Sequence, residues 1–389
     1  MPRAGRVLCR VPARVKFQFT RLSASGATIL VRSQNTGPFV VPFSAQTPDS
    51  SGNRNTLRAI DSEHALELRA GELVEIRSAA EILATLDERG ELDSLPFMPE
   101  MVQFCGQQLR VSHRSDKTCD TIANYRARRM YRTVHLEQLR CDGSGHDGCQ
   151  AGCLLFWKEA WVKRAPATAE RVALVQIKPR NQTNGNGDDG SDALNKLLAR
   201  TSRSLDQEGA RYACQATELL RASEPLPWWD VRQYLRDIST GNVSPAQFVR
   251  GSWFAVYAIV RRKLRAPRNF PYFGGKLTTT PSDRLDLQPG ELVQVKSRKE
   301  IYATLDKASK NRGLYYDVEM WRFSGGIFRV LRRVDRIVNE KDGRMIKLPG
   351  GCVILDGVYC SGERSTNRLF CQRNIFTYWR EIWLTRVAG

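Results

Sequence analysis

Two stretches decide the fold: Gly71-Glu-Leu-Val-Glu-Ile-Arg-Ser78 and Gly290-Glu-Leu-Val-Gln-Val-Lys-Ser297. Each is followed by a second shared block, Glu81-Ile-Leu-Ala-Thr-Leu-Asp87 and Glu300-Ile-Tyr-Ala-Thr-Leu-Asp306. The same spacing of 219 residues relates Glu100-Met101 to Glu319-Met320, Phe104-Cys-Gly106 to Phe323-Ser-Gly325, and Cys141 to Cys360. Near the C-terminus the spacing becomes 222, where Trp157-Lys-Glu-Ala-Trp161 meets Trp379-Arg-Glu-Ile-Trp383. Ungapped blocks at one offset mark a duplicated unit of roughly 100 residues.

Each copy opens on an alternating, strand-like segment and continues into a short helix. Ser78 and Ser297 are the expected N-caps, with Glu81 and Glu300 three residues on completing a capping box. Strand candidates follow at Leu109–Ser112, Thr133–Arg140, Phe328–Leu331 and Cys352–Tyr359, separated by Gly-rich turns. The pattern predicts an α+β protein: two homologous small β-barrel modules of SH3-like character joined by a helical region. The boundaries read as a basic flexible tail at 1–60, module one at 61–165, a linker and helical spacer at 166–284, and module two at 285–389. Pro179–Gly190 has linker composition, and residues 192–264 show helical spacing. Arg232 and Arg236 with Asp230 and Asp237 read as a solvated helix face. Phe248–Leu264 joins an apolar block to a basic end, which suits packing against a module better than contact with a membrane surface. Trp157, Trp161, Trp379 and Trp383 read as core.

The 389 residues carry 60 Lys+Arg against 41 Asp+Glu, a net charge of +19. That excess points to an acidic partner, but it is uneven. Residues 1–60 alone hold 9 basic and 1 acidic residues, while module one is net acidic by 3. The N-terminal segment is Arg-rich and nearly acid-free, as a transit peptide is; a plain basic tail or an over-extended start fits it better. No apolar run nears the roughly 20 residues of a transmembrane helix, so no transmembrane segment and a cytoplasmic location are expected. No nucleotide-binding loop, nucleophile elbow or metalloprotease motif is present.

Cysteine placement carries the chemistry. Eight of the ten cysteines lie in the modules, and grouped thiols without a secretory signal favour metal over disulfides. Cys141 and Cys360 align, as do Cys149 and Cys371. His135 precedes Cys141 by six residues and Cys352 precedes Cys360 by eight; both are even separations that share a face on an extended strand. Module one therefore offers two zinc sets: Cys105, His135, Cys141 and Cys149, or Cys141, His146, Cys149 and Cys153. Both stay open. Module two has Ser324 in place of Cys105, leaving Cys352, Cys360 and Cys371, either a lost site or an open one. An iron–sulfur cluster suits the spacing less well than zinc. Cys9, Cys119 and Cys214 read as simple packing residues.

The Gly290 and Glu300 blocks, Cys360…Phe370-Cys371-x-Arg373 and Tyr378-Trp-Arg-Glu-Ile-Trp-Leu384 resemble a largely uncharacterised bacterial family over residues 65–389. Its members sit near polysaccharide and nonribosomal-peptide biosynthetic genes. In that family the position of Ser324 is usually cysteine, so the departure weakens a closed second site. The resemblance lends no activity; together with the cysteine pattern, the expected function is a non-catalytic, zinc-stabilised accessory or binding protein in bacterial biosynthesis of secondary metabolites or envelope polymers. Its expected partner is an acidic protein or anionic glycan. Two alternatives are a metalloenzyme with an open Cys-ligated zinc site in module two, and a nucleic-acid binder. Arg332, Arg333 and Arg336 beside Trp321 and Phe328 form the patch for the last, which the acidic module one disfavours.

Overall fold

In the computed structural model the described residues are 66–137, 139–165, 188–201, 211–264 and 274–387. The architecture is mixed α+β, built on two five-stranded antiparallel sheets. The first uses β1 (Leu73–Ile76), β2 (Gln108–Arg114), β5 (Thr133–Leu136), β6 (Trp157–Lys158) and β7 (Val162–Arg164). Between β2 and β5 lie β3 (Lys117–Cys119) and β4 (Ala127–Arg129), which join β8 (Glu224–Pro225) in a three-stranded sheet. The second five-stranded sheet uses β9 (Leu292–Val295), β10 (Ile327–Arg333), β13 (Cys352–Tyr359), β14 (Phe376–Arg380) and β15 (Leu384–Arg386). A hairpin of β11 (Arg336–Val338) and β12 (Met345–Lys347) is inserted in it.

The strand orders correspond one for one: β6-β5-β2-β1-β7 and β14-β13-β10-β9-β15. So do the registers, with Leu73 opposite Arg110 and Leu292 opposite Arg329. In both sheets a three-residue turn, Glu159–Trp161 or Glu381–Trp383, carries the chain from one edge strand to the other. Five flat strands would put those edges about 19 Å apart, whereas the turn spans at most about 14 Å. Each sheet is therefore strongly curled around its core.

Local signals behave as read. Ser78 caps α1 (Ala79–Leu83) and Ser297 caps α5 (Arg298–Tyr302), each with the reciprocal glutamate bond. The four tryptophans are fully buried, and ring pairs such as Phe97–Trp161 (5.1 Å) and Tyr316–Trp383 (5.5 Å) pack edge to face. A buried ion pair also recurs. Arg114 reaches Glu159 at 2.6 Å and Arg333 reaches Glu381 at 3.1 Å. Each glutamate also accepts backbone N–H groups from the segment entering its module, Leu66 and Leu68 or Leu285 and Asp286.

The region between the sheets belongs to them rather than lying apart. In α2 (Asp188–Thr201) Leu197 enters the first core, and so do Leu219 and Ala222. The helix face expected to be solvated is partly buried: Asp237, in α3 (Arg232–Ser239), is 3% exposed and paired with Lys117. The last described helix before module two is α4 (Pro245–Lys263). Most of the expected 179–190 loop, and Cys9, fall outside the described residues.

Candidate metal centre and inter-module cavity

After β5 the chain enters a loop, Cys141–Cys153, whose backbone is set by glycine. Gly143 has φ +82°, and a Cβ there would lie 2.1 Å from the Cys149 carbonyl oxygen. Gly362, at the matching position, has φ +71°, and its Cβ would meet the Cys371 nitrogen at 2.5 Å. Each module thus folds one tight loop back onto its second aligned cysteine, a closeness only glycine permits.

The first loop delivers Cys141 and His146 to Glu100, which sits in the 3-10 turn Pro99–Phe104. Cys141 Sγ donates to Glu100 Oε1 at 3.1 Å. His146 Nδ1 lies 3.8 Å from Cys141 Sγ and 3.9 Å from Glu100 Oε1. Tetrahedral zinc with sulfur, nitrogen and oxygen ligands places such donor atoms about 3.3–3.6 Å apart. The three groups therefore converge nearly as ligands would, and together they can hold a metal ion. No ion is present. The side chains of Glu100 and His146 are 1% and 2% exposed, yet Glu100 Oε2 and His146 Nε2 have no partner. Unsatisfied buried polar atoms are uncommon and costly. Burial, then the Glu100 charge, push the Cys141 thiol far up, and burial pulls the His146 imidazole down.

A cavity of about 40 Å³ adjoins this group, lined also by Cys149, Cys153 and Cys214. Burial raises Cys153 to about 12 and Cys214 to about 11. Cys149 Sγ accepts the Val338 N–H at 3.3 Å, and Gln150 bonds the backbone of Asp335 and Arg336. The donor loop is therefore also the strap that docks module one on the β11–β12 hairpin of module two.

The sequence-derived sets are thus partly assembled. Cys141, His146, Cys149 and Cys153 surround one cavity. Cys105 and His135 stand outside the converging group. His135 is fully buried, with Nδ1 2.9 Å from the Leu155 carbonyl and burial lowering it to about 3. The parity argument from His135 to Cys141 does not hold because β5 ends at Leu136 and Glu137 takes φ +40°. Cys105 is a packing position: in module two its counterpart Ser324 bonds the Tyr316 hydroxyl at 3.1 Å, and Phe97 replaces that tyrosine in module one. Both Phe97 and Cys105 belong to the first apolar core, so neither position carries a polar pair in module one.

In module two Cys352 is likewise separated from Cys360 and Cys371. It packs with Val334, Ile354 and Phe376. The even spacing to Cys360 fails because the β13–β14 register shifts between Ile354 and Tyr359, with Gly357 at φ +68°. Cys371 instead neighbours Cys119 of module one, with Cys360 and Arg368 close by. The interaction of the two thiols lowers Cys119 and raises Cys371. Cys119 and Cys214, read as inert packing, thus join other thiols. Glu319 and Cys360 repeat the Glu100–Cys141 pair, but Ser365 stands at the His146 position. Glu319 is saturated by Ser361 Oγ (3.0 Å), the Arg364 N–H (2.7 Å) and Ser365 Oγ (3.0 Å). Glu100 was visible as a repeated residue, and an acid kept between apolar neighbours in both copies was the available signal.

A larger cavity of about 520 Å³ opens between the modules. Arg262, Arg364 and Arg368 meet Tyr125, Tyr315 and Phe376 on its wall. Arg368 faces Asp317, whereas Arg262 bonds the Thr366 hydroxyl and Arg364 lies over the Phe254 ring. Cys360 lines it too, but burial and Glu319 hold its thiol far above the range of a nucleophile. Among the described residues no helix is long and apolar enough to cross a membrane. No family model, curated protein or solved structure matches the chain.

Proposed function

We propose that the chain is a non-catalytic binding protein whose two SH3-like modules are locked together by one structural zinc ion, held by Glu100, Cys141, His146 and a cysteine of the adjoining cavity. The observation that carries the reading is the convergence of three different ligand types beside two unpartnered buried atoms. Module two fills the same place with hydroxyls and leaves nothing unsatisfied. A closed set of four protein donors is the structural type of zinc site, with no position left for substrate. Because the donor loop also docks module two, the ion would stabilise the junction as well as the module.

The partner we propose is an anionic glycan, received in the inter-module cavity. Its volume is within the usual range for ligand sites, its arginines suit carboxylates, and its aromatic side chains offer faces to sugar rings. The place of such a protein in bacterial polymer or metabolite biosynthesis, and a reducing cytoplasm, rest on the family resemblance and on the thiols. Metal analysis of the purified protein tests the first part: one zinc per chain, lost in Cys141→Ser and retained in Cys360→Ser. Zinc-free protein with wild-type stability would refute it. Calorimetric titration with trigalacturonate against uncharged maltotriose tests the second, with binding of the former alone expected and its loss in Arg364→Gln.

A further inference from the structure

Helix α4 has two apolar faces. One is docked on module two: Gly251 and Ala258 are buried, a Cβ on Gly251 would lie 2.5 Å from the Phe370 ring, and Phe248 stacks on Phe370 at 5.4 Å. Arg250 to Glu363 and Arg262 to Thr366 fasten the same side. Opposite lies a stripe of Val249, Trp253, Val256, Tyr257, Val260 and Leu264. Their exposures run from 45% for Val260 to 75% for Trp253. At 3.6 residues per turn these six fall within an arc of about 100°. A globular protein does not expose so ordered a row without a use for it.

The charges around the stripe select its partner. From Pro245 to Lys263 the helix contains four basic residues and no acid. Arg261 and Lys263 flank the stripe on either side, where long basic side chains can lay their stems along an apolar layer and raise their charges to its edge. Self-pairing would set two acid-free, basic helices against each other. An anionic bilayer supplies what both parts of the surface need: an apolar layer under a negative one. We propose that α4 is a membrane-surface helix that seats the protein on anionic phospholipid. The stripe would enter the interface, with Trp253 at headgroup depth, while the Gly251 face stays on module two. The helix lies in the interface and does not cross it.

The test is co-sedimentation of the full chain with vesicles of phosphatidylcholine, alone or mixed equally with phosphatidylglycerol. Binding is expected to the anionic vesicles and to fall steeply in 1 M salt. Arg261→Gln with Lys263→Gln should weaken it about 30-fold, each charge near such a surface contributing roughly 5-fold. Val256→Glu with Val260→Glu should abolish it. These exposed positions leave the fold intact, which unchanged melting of the variant verifies. Failure of the native chain to bind, or equal binding by Val256→Glu/Val260→Glu, overturns the proposal. So does a dimer that this variant dissociates, which would identify a second copy as the occupant.

Discussion

Glu100→Gln separates a metal-holding site from a merely buried one by the sign of its effect. Without an ion, the carboxylate accepts one thiol bond at 3.1 Å and leaves Oε2 unpartnered. An unsatisfied buried polar group costs about 1–3 kcal/mol, and more when charged. Replacing it by a neutral amide then leaves stability unchanged or improved. With an ion, the same substitution removes an anionic ligand. A 100–1,000-fold loss of affinity at fixed free zinc removes about 2.7–4.1 kcal/mol, a fall in melting temperature of about 3–6 °C for a chain of this size. Glu319→Gln is the internal control, since that carboxylate is satisfied by Ser361, Ser365 and the Arg364 N–H. It should cost about 1–3 kcal/mol, whether or not chelator is present. Thermal melts of wild type and both variants, with and without a zinc chelator, give six values. The expected pattern is chelator sensitivity in wild type, its loss in Glu100→Gln, and its retention in Glu319→Gln. A Glu100→Gln protein melting at or above a chelator-insensitive wild type would show that these donors hold no ion.

Lys117 and Asp237 form an ion pair with both side chains 4% exposed; Lys117→Met should therefore cost about 3–5 kcal/mol in urea unfolding, and adding Asp237→Leu should recover most of it. In the first capping box, the Ser78 backbone N–H and hydroxyl hold Glu81 down to about 2 from 4.5. A lowered carboxylate contributes stability that is present above pH 4.5 and lost as pH falls through 2, so Glu81→Gln should flatten the acid limb of a stability–pH curve across that window. Tyr316→Phe should cost about 0.5–1.5 kcal/mol by removing the Ser324 bond. Combining it with Ser324→Cys installs the residues found at the matching module-one positions, Phe97 and Cys105, and the double variant should be no less stable than Tyr316→Phe alone.

What could be read from the sequence was local or repeated. Capping boxes depend on four consecutive positions, and both formed as expected. Tryptophans spaced by four at the end of each copy had to face one core, because a tight turn joins two edge strands there. The donor set was only half legible. Strand parity carried His135 to Cys141 and Cys352 to Cys360, and it fails wherever a strand ends or bulges, as at Glu137 and before Tyr359. Cys214 and Cys119 pack as read, but their sulfur neighbours arrive from other parts of the chain and leave no sequence signal. Cys214 comes from the segment after α2, and Cys119 meets a thiol of the opposite module. Glu100 stands within a repeated block, but nothing short of the fold places it beside a loop 41 residues away. Lateral contacts between the modules leave no periodic trace.

The two copies answer one question differently: what a buried glutamate should face. Module two answers with serine at 361 and 365, and the matching residues of module one are Asp142 and His146. Grafting that answer onto the first copy, with Asp142→Ser and His146→Ser, should therefore replace a metal by hydroxyls. The glutamate gains two donors, each worth about 1.5–3 kcal/mol toward a charged acceptor, against the roughly 2.7–4.1 kcal/mol lost with the ion. Asp142 also holds Ser144 at 2.7 Å, a cost at the loop's exposed tip that counts little. The graft should thus melt near the zinc-loaded wild type, bind no zinc, and ignore chelator, while His146→Ala, which supplies no hydroxyl, should melt several degrees lower. If graft and alanine variant melt together, hydroxyls do not substitute for the ion, and the loop backbone, not the glutamate, decides which answer each module uses.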